Sequence, residues 1–426
     1  MARAAAGTLL ALIALALPSA AQSKSADELI DRALQTTASA TDDAHRELVA
    51  LGKSILPTVL ARLDRLASNP VSGQPEGAEF ELLSEVLAEL PRPDVHRALE
   101  PEPEITGTAR CARIGALSRF GLSAEVNLLI ALAGPCERAG PVTRAVQACA
   151  ERMHRRSASS LRGIASTYLR ASMPLREALV RGISAVARLD SVEVLADLLD
   201  LAPELDPLIL SSIGRIGSLD PLEISERVRS QVRRLLDLEH DDRRLGEAAL
   251  TAGRLEDPLA LDTLVHLLES PSAAVRGNVH WSLQHVSGLP LEDDYFRWLT
   301  WLRANERWWA EEWPAIRAAL RGGGRSETCE ALREIAGRRY RRHDLAQEVL
   351  HVLRRSDDDV LLGYSCLALT ALDSPIARES LIELLLDDRE LVRTRALEAL
   401  RHITSLDLPA DIEAWRTALS MTALEP

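Results

Sequence analysis

The chain has 426 residues, 46% hydrophobic and 27% charged, with a net charge of −13. That composition is rich enough to build a core and argues against disorder. Its acidity excludes nucleic-acid binding through bulk positive charge. Aromatic residues make up only 3%, so leucine, alanine, valine and isoleucine must fill the interior, which suits packed helices better than a sandwich or barrel. All but two of the basic residues are arginine, the exceptions being Lys24 and Lys53. A GC-rich coding bias explains that skew more simply than recognition of phosphate or carboxylate does.

At the start, Arg3 precedes an apolar run from Thr8 to Leu17, and small residues follow at Ser19, Ala20 and Ala21. Ten helical residues rise about 15 Å, half of the roughly 30 Å of a bilayer core. Residues 1–21 are therefore expected to be a cleavable secretory signal, with Gln22 as the first mature residue. No cysteine follows the run to carry a lipid anchor. The expected destination is periplasmic or extracellular, without a membrane span after cleavage. In such a compartment the five cysteines matter. Cys111 and Cys136 would meet if they sit at adjoining ends of two packed antiparallel helices, and a bridge there would contribute about 3–4 kcal/mol. The alternative is that all five are small buried hydrophobes.

Further along, the chain repeats itself without gaps at an offset of 117 positions. Leu264-Val265, Leu267-Leu268, Val275-Arg276, Leu283, His285, Leu289 and Trp298 match Leu381-Ile382, Leu384-Leu385, Val392-Arg393, Leu400, His402, Leu406 and Trp415. Each copy predicts two amphipathic helices, with Ser270-Pro271 or Asp387-Asp388 supplying the cap between them. The second helix ends in an apolar triplet at three-residue spacing, as in Ile213/Ile216/Leu219, Ala249/Ala252/Leu255 and Cys366/Leu369/Leu372, and proline follows within a few residues. Helix pairs this short cannot bury their apolar faces alone and must stack.

The segments LVHLLESPSAAVRGNVHWSLQHVSGL and LIELLLDDRELVRTRALEALRHITSL resemble bacterial HEAT-type repeats. The likeness is clear over 257–289 and 375–406, recognisable over 175–256 and faint over 27–160. It implies an all-α fold, an α-α superhelix or HEAT-like solenoid of stacked antiparallel helix pairs. The expected organisation after residue 21 is degenerate repeats over 22–160, HEAT-like repeats over 161–289, a Trp/Arg-rich helical insert over 290–343 and C-terminal repeats over 344–426. The resemblance also implies a protein-interaction scaffold, usually non-enzymatic, although some bacterial members are lyases or enzyme partners. In such repeats the arginine of the Val-Arg pair, here Arg276 and Arg393, is expected to pair with an acid of a neighbouring turn or repeat.

Six of the seven tryptophans fall in or beside the insert. Trp298 recurs at Trp415, which marks it as packing. Trp308, Trp309 and Trp313 have no such partner and, with Arg303 and Arg307, are the candidate binding residues for a protein, or alternatively for a glycan or proline-rich peptide. The run Arg338-Arg339-Tyr340-Arg341-Arg342-His343 is expected to be a solvated helix start rather than a phosphate site. The ten histidines are scattered, and no metal, nucleotide or nucleophile signature is present. No catalytic residue, metal ligand or cofactor is therefore expected. The predicted function is a non-enzymatic scaffold that binds a protein partner along its concave face, with no role for nucleic acid.

Overall fold

The computed structural model describes residues 20–35, 38–66, 77–101, 105–238 and 241–422. The apolar run of the expected signal segment lies outside the described residues. Among those described there are 24 α-helices, joined by short 3-10 turns, and no strands. The fold class is all-α, and each helix packs chiefly on near neighbours in sequence. The chain divides into two compact units, one ending at Val186 and the other beginning at Ala187. That division falls inside the segment 161–289, where a single run of repeats was expected.

In the first unit, Gly107–Phe120, Pro141–Arg156 and Met173–Ser184 form one row of helices, while Arg92–Leu99, Val126–Ala133 and Ser160–Thr167 form a second row beside it. Two layers are thus present where the repeat signal is faintest. The leading helices are held by a buried guanidinium. Arg62 donates to Asp27 at 2.7 Å, Asp31 at 2.7 Å and Glu79 at 2.9 Å, which ties Leu56–Leu66 to Ala20–Gln35 and Ala78–Glu89. Cys111 and Cys136 are free thiols here, as are the other three cysteines. No bridge joins the two. Burial pushes the Cys149 and Cys366 thiols up to about 12, which keeps both protonated and unreactive.

In the second unit the two sequence copies fold in the same register. Ala273–Ser287 matches Glu390–Thr404, and the turns Pro258–Ala260 and Pro375–Ala377 match in the same register. Gly288 and Ser405 both close their helices in the left-handed region, at φ 68° and 57°. Arg276 donates to the carbonyls of Ser270 and Pro271, and Arg393 to those of Asp387 and Asp388. The Val-Arg arginine therefore closes its own turn through main-chain oxygens, not through a neighbouring acid. In both copies one guanidinium nitrogen, Nη1, reaches two successive carbonyls.

The segment 290–343 is less of an interruption than the sequence suggests. Tyr295–Glu311 continues the row that contains Leu261–Leu267, and Trp313–Gly322 with Arg325–Ala336 forms an ordinary helix pair. Gly322-Gly323-Gly324 is the tight link of that pair; a Cβ on Gly323 would meet the Ala319 carbonyl oxygen at 2.6 Å.

The second helices of successive pairs pack in a row: Asp206–Gly217, Asp242–Arg254 and Ala273–Ser287. Thr251 donates across it to Leu210 O and Ser282 to Ala249 O, each at 2.9 Å. A Cβ on Gly253 would lie 2.5 Å from the Ser282 Cβ, whereas one on Gly277 meets nothing within 4 Å. Gly253→Ala should accordingly destabilise the protein by about 1–3 kcal/mol through overpacking. Gly277→Ala, on an open helix face, should stabilise it by up to about 1 kcal/mol. Urea unfolding of both variants checks the pair.

Candidate functional site

Trp298 and Trp415 are fully buried. Their Nε1–H groups donate to the carbonyls of Glu292 and Pro409, six residues back in each copy and 2.8 Å away in both. Recurrence at one repeat position does mean packing. The candidates Trp308, Trp309 and Trp313 cluster with ring centroids 4.9–5.9 Å apart. Trp308 is buried and the other two half-buried against the C-terminal core. The arginines expected beside them are elsewhere: Arg303 pairs with Asp262 and Glu306, and Arg307 points to solvent.

The cations on these rings come instead from the basic run about thirty residues on. Arg338 lies 3.9 Å above Trp308 and Arg341 lies 4.3 Å above Trp309. Both guanidiniums also hold a carboxylate, Glu334 and Asp344 respectively. Tyr340 stacks edge-on against Trp301 and Trp309. The expected solvated helix start is therefore a seam, its stems lying on aromatic faces while its charges are neutralised locally.

The last two residues of the run complete a clasp. Arg342 grips Glu256 with two bonds of 2.9 and 2.5 Å, and donates to both the carbonyl and the side chain of Asp373. His343 lies between Glu256 (Nε2 to Oε2, 3.0 Å) and Ser374 (Nδ1 to Oγ, 2.8 Å). Glu256 and Asp373 occupy equivalent repeat positions, each just past a helix end with φ 47° and 50°. That conformation costs a non-glycine residue about 1 kcal/mol, less for Asp than for Glu. The paired charges offset this.

Burial alone would raise the Glu256 carboxyl pKa, but the hydrogen bonds from His343 and Arg342 outweigh burial and hold it at about 2. The three side chains are 11–13% exposed, so each charge depends on its partners.

Ser374, His343 and Glu256 line up like a nucleophile, base and acid. Ser374 is fully buried beside the Pro375–Ala377 turn, however, and no face of its hydroxyl meets solvent. A hollow of 200 Å³ lies beside Glu256 and His343 but does not reach Ser374. The arrangement joins two repeats rather than presenting a nucleophile. Among the described residues no group of three His, Cys, Asp or Glu side chains is placed to hold a metal.

One aromatic faces water on the row of second helices. Trp281 is 40% exposed, stacks on the exposed His285 ring at 4.8 Å and 9°, and has Arg254 5.8 Å from its centroid. The sequence contains a signal for it that the search for clustered tryptophans passes over. Its repeat equivalent is Glu398, so packing does not require an indole there. The clasp carries the opposite signal, a recurrence, since Glu256 and Asp373 are both acids at one repeat position.

Removing one partner of the clasp should be costly. Glu256→Gln is expected to lower stability at neutral pH by about 3 kcal/mol. Because the folded carboxyl titrates below its unfolded value, this contribution is full above the ordinary carboxylate range and is lost as pH falls towards 2. Unfolding followed from pH 7 to 2 should show wild type and variant converging at the acid end.

No family model and no curated protein matches the chain. Among solved structures, the crystal structure of an engineered protein is 15% identical over 91% of this chain and 96% of that one, with a TM-score of 0.30. A likeness that distant carries no argument about function.

Proposed function

We propose that the protein is a non-enzymatic binding scaffold of HEAT-like repeats, exported by its N-terminal segment, that engages a protein partner through its row of second helices. Trp281 carries this proposal. It is a large indole held in water, oriented by a stacked imidazole on the same helix and an arginine from the next. Tryptophan beside arginine on a rigid face is the usual content of an interaction hot spot, and rigidity lowers the entropy lost on binding. The stacked helix pairs support the HEAT-like assignment, and the run from Thr8 to Leu17 supports export. No described helix is long and apolar enough to cross a membrane. A glycan platform on Trp308, Trp309 and Trp313 needs bare ring faces. Burial of Trp308 and the arginines over Trp308 and Trp309 count against it.

Affinity capture from the native host should retain one discrete protein on the wild type and lose it on Trp281→Ala, a truncation expected to cost about 2 kcal/mol, or about thirtyfold in affinity. Phe296→Ala, which removes an exposed ring from the other row, should keep the partner. Retention by Trp281→Ala would sink the proposal. Acrylamide quenching tests the exposure directly: Trp281→Phe should remove the most quenchable emission, and Trp308→Phe should leave it. Amino-terminal sequencing of the exported protein should begin at Gln22, and an intact Met1 would refute export by cleavage.

A further inference from the structure

The second unit holds a cavity of 760 Å³ where its first helix ends meet its last. That volume falls in the range of small-molecule sites, roughly 300–1,000 Å³. Leu189, Leu219, Leu406 and Leu419 supply its apolar lining. The repeat shows that this wall is unusual. Leu219 closes an apolar triplet, as Leu255 and Leu372 do; those two are fully buried, while Leu219 is 46% exposed. Leucine left facing a hollow gives up the burial that its counterparts gain.

Arg378 also lines the cavity. Its repeat equivalent is Leu261, which is fully buried in the core, so the fold does not call for a charge there. Nearly all the partly buried arginines of this unit are bound to a carboxylate, a carbonyl or a ring, as the clasp and seam illustrate. Arg378 forms no hydrogen bond or ion pair among the described residues, and its Nε is buried without an acceptor. Of the other charges of the wall, Arg188 holds Asp190 with two bonds, while among the described residues Asp220 accepts only the Leu222 amide and acts on Arg378 through space. Burial draws the Arg378 pKa down, while Asp220 and Asp373 act on it through space in the opposite sense. A buried donor such as this Nε–H is destabilising unless something supplies an oxygen.

We infer that this cavity binds an apolar carboxylate, with the carboxylate on Arg378 and the hydrocarbon along the four leucines. A planar fork in a leucine-lined cavity fits that chemistry, since guanidinium and carboxylate match in bidentate geometry. A fatty acid and the free C-terminus of an apolar peptide both present it. The site is separate from Trp281 and does not depend on the protein-binding role.

Titration calorimetry on the full chain with decanoate, N-acetyl-Leu-Leu and decanol tests the inference. Binding by either carboxylate at one equivalent, weakened at least about tenfold in Arg378→Gln, with decanol no tighter than the variant, supports it. Decanoate binding alone identifies the lipid source, and the peptide alone identifies the C-terminus. If neither carboxylate binds, if decanol binds as well as decanoate, or if the variant binds like wild type, the inference is overturned. Thermal unfolding without ligand separates this role from a structural one. Arg378→Leu, which restores the residue found at position 261, should melt no lower than wild type. A drop of several degrees, or failure of both variants to fold, would make Arg378 a structural residue and overturn the assignment.

Discussion

A single guanidinium, that of Arg342, joins two positions of the second unit that are equivalent by repeat. Glu256 and Asp373 each follow a helix end in a backbone conformation that neither residue favours, and both face the same cation. Without the arginine, Glu256 would keep only His343 and Asp373 only Arg339, each in a strained backbone conformation. With it, the end of one repeat is bound to the end of another 117 positions away. His343 adds a second link from Glu256 to Ser374, so the contact is a small network and not one pair. The pair Trp313–Gly322 and Arg325–Ala336 lies between these repeats in sequence, and the clasp closes around it.

The neighbouring arginines extend this arrangement into the aromatic cluster. Arg338 and Arg341 cover tryptophan faces, and each keeps its charge on a nearby carboxylate. A guanidinium can do both because it is flat, weakly hydrated and carries donors around its edge. Lysine could not, which gives the arginine-rich composition a structural use in this unit whatever its genetic origin. The tryptophans consequently divide by role: Trp298 and Trp415 pack, Trp308 is enclosed, and Trp281 faces water.

Departures from the repeat are where function is to be sought. A residue that recurs at one position is explained by packing, as the carbonyl-bound indoles and the turn-closing Arg276 and Arg393 show. A residue that replaces its counterpart with different chemistry requires another reason. Trp281 stands where the other copy has Glu398, and Arg378 stands where it has the buried Leu261. Both substitutions place a group in water or in a cavity at a cost that the fold does not require, as is usual where activity competes with stability.

Helix pairs, their caps and the register of the two copies were all legible in the amino-acid order, because they depend on contacts a few residues apart: apolar spacing, a proline after a triplet, an aspartate at a cap. The partners of the basic run were not. Arg342 meets Glu256 across 86 positions and Asp373 across 31, and no local pattern states which acid a cation will reach. The same distance hid the company of Trp308 and Trp309, whose arginines lie downstream at 338 and 341 rather than at 303 and 307. Sequence alone determined an all-α repeat of stacked pairs, since periodicity sets which face of each helix must be buried. Tertiary structure decided which charges are consumed, which indole stays in water and which guanidinium is left unpaired, since those outcomes depend on how successive pairs stack.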